Sequence, residues 1–70
     1  MGSEIDLIKK LDNCDILFML GNFFLKKEKN LNMALECAKQ MMLIGESNKT
    51  SKCFQDGYKL FTDINTALHN

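Results

Sequence analysis

The sequence contains no proline, and none of its nine basic residues is an arginine. Without proline, nothing in the chain forbids long helices. Without arginine, it lacks the side chain that grips phosphate or a base edge in two-pronged fashion. Nine lysines against nine acidic residues give a formal net charge of +0, so no overall field draws the chain toward nucleic acid or an anionic membrane. No nucleic-acid partner is expected. Long apolar runs are missing too. The greasiest stretch, Ile16 to Leu25, is about half the 20 residues that a membrane span needs, and Asn22 interrupts it, so no membrane span is expected.

Cysteine is sparse and odd in number. Cys14, Cys37 and Cys53 include no Cys-x-x-Cys pair and match no zinc spacing, and the single histidine, His69, sits beside the C-terminus. Free thiols in a reducing compartment are expected, with no metal and no cofactor. The N-terminal segment carries acids where a signal peptide needs bases, which points to a cytoplasmic protein. Asn48-Lys49-Thr50 fits the glycosylation acceptor pattern, a short match that means little without secretion. There is no phosphate-binding loop or dinucleotide fingerprint. Asp6, Asp12 and Asp15 form the one acidic group, with no second carboxylate cluster to work against. No catalytic residue is assigned, and an enzyme is not expected.

What is present is helical periodicity in an ordinary globular mixture, 46% hydrophobic and 26% charged. Leu7, Leu11, Cys14, Phe18, Gly21 and Leu25 recur at alternating spacings of four and three, the pattern of one helix face. This predicts a helix over 4–28, either continuous or broken near 12–13, with Ser3 as its N-cap. A second helix is expected over 32–44. Asn32 would cap it, Ala34, Cys37, Ala38 and Met41 would form its apolar stripe, and Gly45 would end it with a positive φ. A third is expected over 51–68, where Cys53, Gly57, Leu60, Ile64 and Ala67 repeat the spacing, broadened by Phe54, Phe61 and Leu68. The fold class is all-α, a three-helix antiparallel bundle in one domain.

LFMLGNFF, residues 17–24, places a glycine in the middle of that periodicity. A helix-interior glycine costs about 1 kcal/mol relative to alanine. On a buried stripe it lets a neighbouring helix approach, and the small patch Ala34, Cys37, Ala38 is the expected neighbour. Leu20-Gly21, Phe24 one turn later and Ala34 opening the next helix resemble one tetratricopeptide repeat, a helix–turn–helix unit of about 34 residues. Leu17 stands where that pattern favours Trp. The turn is one residue longer than usual, no proline closes the unit, and Ala38 and Met41 exchange the family's large and small positions. CFQDGYKLF, with Gly57, resembles the start of another repeat.

The resemblance implies a protein-binding module whose ligands lie along the first helix of each repeat. Carried over by position, the candidates are Asp15, Phe18, Asn22, Leu25 and Lys26, joined by neighbouring Phe23. A chain this short buries only about 60% of its unfolded surface, so a spare apolar face invites a partner. The leading expectation is an adaptor or small chaperone that cradles a helical or extended segment of another protein. Chaperones of bacterial secretion systems are one setting that suits it. Self-association as a homodimer through the Leu7–Leu25 stripe is the alternative, and a small nucleic-acid-associated regulator a further one.

Overall fold

The computed structural model describes residues 4–69. It consists of α1 (Glu4–Lys10), α2 (Cys14–Lys26), α3 (Leu31–Ile44) and α4 (Lys52–Leu68), with no strand among the described residues. The described residues are all-α, as expected, in four helices, because the first segment takes its broken form. Asn13 is extended (φ −100°, ψ 108°), and its side-chain oxygen accepts from Ile16 N at 3.2 Å. An asparagine that bonds the backbone this way starts a helix and does not continue one. On the other side of the break, Leu11 N donates to the Ile8 carbonyl, and the Leu11 carbonyl receives Gln40 Nε2 at 3.0 Å.

The other helix starts follow the same chemistry. Asn30 Oδ1 accepts from Met33 N, and Ser51 Oγ accepts from Phe54 N. The α3 cap is therefore Asn30; Asn32, the expected cap, lies inside the helix and is exposed. The reason is Lys29, which adopts the left-handed φ of 53° and turns the chain so that Asn30 N reaches the Phe24 carbonyl at 2.8 Å. Gly45 has φ −90°, not the positive value expected. It is needed for space, because a Cβ there would lie 2.8 Å from both Cβ and N of Phe54. The expected cap at Ser3 falls outside the described residues.

The helices are laid out around α3. Gly21 faces Cys37, and Leu11 meets Gln40, so α2 runs antiparallel to α3. Gly57 faces Met41, and Gly45 faces Phe54, so α4 runs antiparallel along another side of α3. Five buried residues lie on α3: Met33, Ala34, Cys37, Ala38 and Met41. Leu17 of α2, Ile8 of α1, and Leu60 and Ile64 of α4 complete the core. The radius of gyration, 11.3 Å, agrees with the roughly 11 Å of a compact 70-residue body.

The expected stripe is buried in part: Gly21 is buried and Leu11, Cys14 and Leu25 pack against the core. Leu17 is fully buried, whereas Phe18 is 38% exposed and Leu7 65% exposed. Leu7 lies on α1, across the break at 11–13, and Phe18 sits at the edge of the buried side of α2, so the Leu7–Leu25 pattern is not one continuous face. Leu68, expected to broaden the α4 stripe, is also exposed.

The two glycines differ in how tightly they are held. A Cβ on Gly57 would lie 2.8 Å from Met41 Cβ and 3.2 Å from the Ala38 carbonyl oxygen, atoms fixed to the α3 backbone. A Cβ on Gly21 would overlap a terminal methyl of Leu60, which can rotate, and lie 3.3 Å from Cys37 Cβ. Gly57→Ala is therefore expected to destabilise by about 1–3 kcal/mol from overpacking, despite alanine's helix preference. Gly21→Ala should cost clearly less. Urea unfolding of the two variants checks this order, and equal or reversed losses would contradict it.

Candidate functional site

The apolar surface left over after the core forms lies on α1 and α2. Leu7, Ile8, Leu11, Leu20, Phe24 and Met33 line a groove of about 350 Å³ between α1, α2 and the start of α3, which Lys10 also borders. Leu20 belongs equally to a second feature. Ile16, Met19, Leu20 and Phe23 fall at i, i+3, i+4 and i+7, neighbours on one helix face. Of these, Met19 is 71%, Phe23 46% and Ile16 43% exposed. Groove and stripe thus adjoin along Leu20 and make one apolar surface. The Phe23 and Phe24 rings meet edge to face at a centroid distance of 5.6 Å, holding the exposed ring against the half-buried one.

All six residues expected from the sequence lie on α2, but not on a single face. Asp15, Phe18, Asn22, Leu25 and Lys26 follow helical spacing along one side. Leu25 there is half-buried against the core, and Asn22 Nδ2 donates to the Phe18 carbonyl at 2.9 Å. Phe23 lies on the adjoining face with Ile16 and Met19, and Asp15 and Lys26 fall along the edge between the two. Sequence reasoning missed those two and Leu7 as exposed residues. The signal was the i, i+3, i+7 spacing of Ile16, Met19 and Phe23, hidden because Met19 also fits a core gap-filler.

Reactive chemistry is scarce. Among the described residues no group of three His, Cys, Asp or Glu could hold a metal ion, and no buried side-chain N or O lacks a partner. No described helix is long and apolar enough to cross a membrane. The cysteines correct the expectation of three free thiols. Cys14 and Cys53 form a disulfide between the first turns of α2 and α4, with Cα atoms 5.8 Å apart, and only Cys37 is free. The expected reducing compartment thereby loses its support from the cysteines, since such bonds persist in oxidising ones. Compared with protein-family models, curated proteins and solved structures, the chain matches none.

Burial pushes the Cys37 thiol up from 9.0 to about 11, with neighbouring Glu36 adding repulsion. The buried neutral thiol contributes fully below pH 9, where folded and unfolded chains are both protonated. Between pH 9 and about 11 the unfolded chain loses this proton first, so stability falls as pH rises. Wild type should lose roughly 2–3 kcal/mol more over that window than Cys37→Ala, as measured by urea unfolding at each pH. Parallel pH profiles for the two proteins would contradict this.

The disulfide joins residues 39 apart in sequence, and closing a loop of that length stabilises by about 4 kcal/mol in the chain-entropy account. Whole domains are stable by only about 0.05–0.15 kcal/mol per residue. Cys14→Ser with Cys53→Ser, or reductant, is therefore expected to remove a large share of the stability. The urea midpoint measures it, and an unchanged midpoint would show the bond to be dispensable.

Proposed function

We propose that the chain is a non-enzymatic protein-binding module, an adaptor or small chaperone that takes up an amphipathic segment of a partner on its α1–α2 face. One observation carries the reading: Leu7, Ile16, Met19 and Phe23 are exposed together beside an apolar groove. Contiguous apolar surface of this kind on a small protein is the usual mark of an interaction site. The mechanism is burial of apolar anchors in a groove, with Phe23 and Met19 supplying contact and Lys26 and Asp15 bearing on orientation. The α2–α3 hairpin, with Gly21 against the second helix, supports reading these helices as one tetratricopeptide-like unit and α4 as the start of another. In that family, ligands follow the first helix of a unit, which here is α2.

Location enters the proposal through the disulfide. In the cytoplasm expected from the sequence, Cys14 and Cys53 would be held as thiols, and α2 would lack its covalent tie to α4.

A photoreactive residue in place of Met19, introduced into the protein in the cells that make it, tests the reading. Cross-links to protein are expected at this position and not at Lys59, an exposed position on α4. Phe23→Asp should cut their yield about tenfold or more, as for an aromatic anchor contributing about 2 kcal/mol. Position 19 cross-linking no protein beyond the Lys59 level would sink the proposal.

A further inference from the structure

We infer that the exposed α2 stripe is made to be covered by the same stripe of a second copy, packed antiparallel about a two-fold axis between Met19 and Leu20. The inference rests on the reading of this face as protein-binding and names its occupant.

The argument is one of charge along α2. Its two ends carry opposite charge: Asp15 in the first turn with Asp12 in the break just before it, and Lys26 in the last turn with Lys27 as C-cap, all exposed. None of the four has an ion-pair partner among the described residues. Between them run Ile16, Met19, Leu20 and Phe23. A two-fold axis midway between 19 and 20 sets Ile16 opposite the other copy's Phe23, and Met19 opposite its Leu20. The same operation brings Asp15 within two residues of the other copy's Lys26, and brings Asp12, just ahead of the helix, to the end where its Lys27 lies. The stripe is thus self-complementary in both its apolar middle and its charged ends, which an isologous dimer requires. A parallel arrangement would put acid on acid and lysine on lysine. A neutral or uniformly charged partner would leave one or both ends unmatched.

Size is consistent with this. A specific interface buries about 600 Å² per partner at the low end, roughly an eighth of the 4923 Å² the chain exposes. A helix of 13 residues is about 20 Å long, and Leu7 and the groove beside Leu20 widen the contact.

The test uses charge exchange. The full chain should change from 8.0 kDa to twice that, about 16 kDa, as concentration rises over a hundredfold range in light scattering behind size exclusion. Asp12→Lys with Asp15→Lys makes both ends basic; Lys26→Asp with Lys27→Asp makes both ends acidic. Each variant alone should stay monomeric, while an equimolar mixture should recover the dimer. Recovery on mixing separates a lost contact from a lost fold, and far-UV circular dichroism of each variant verifies its helices. Met19→Glu, which brings charges together near the axis, should abolish the dimer in any mixture. A wild-type monomer throughout would overturn the inference and leave the face free for a different protein. Variants that still dimerise, or a mixture that does not recover, would overturn this seam. Cross-links from position 19 to other proteins alone would overturn the second copy as occupant and uphold the broader reading.

Discussion

The structure depends on how closely α2 and α4 approach α3. Both contacts are made where a side chain is missing: Gly21 against Cys37 on one side, Gly57 against Met41 and Ala38 on the other. α3 meets them with Ala34, Cys37 and Ala38, all fully buried. Short side chains on both partners let the helices come near enough for Leu17, Met41, Leu60 and Ile64 to fill the remaining space. Dispersion and burial repay the unfavourable helix propensity of the glycines, and the tight contact leaves little freedom for the helices to slide.

That arrangement also creates the outer face. Because α3 supplies five of the buried residues and sits between its neighbours, α2 need contribute only Leu17 and Gly21 to the fully buried interior. With α3 in that place, the apolar residues of α2 divide. Leu20, Phe24 and Leu25 pack partly against the core, while Ile16, Met19 and Phe23 turn outward. The break held by Asn13 and by Gln40 on the Leu11 carbonyl lets α1 fold beside them and shape the groove.

Much of this was legible from local chemistry. Helix content, the helix ends near 26–30 and 44–51, the roles of Gly21 and Gly57, and the small patch on α3 all follow from periodicity and side-chain size. What misled was continuity. A four-three pattern across residues 7–25 assumes one unbroken helix, and the break at 11–13 sets Leu7 apart from Cys14, Gly21 and Leu25, which still face the core. Leu17 and Phe18 are adjacent and both large and apolar, so no local rule says which is buried. Asn30 and Asn32 are equally good caps by type; the left-handed turn at Lys29 chose between them.

By itself the sequence determined that the chain is helical, where helices are free to start and stop, and that two glycines invite close packing. Those outcomes depend on neighbours within a turn or two, where steric and hydrogen-bonding preferences act directly. The tertiary structure alone decided which face of α2 meets solvent, which helix is central, and that Cys14 meets Cys53 across 39 residues. These depend on α3 and α4 returning alongside α2 at fixed register, a consequence of packing among distant side chains that no local window contains.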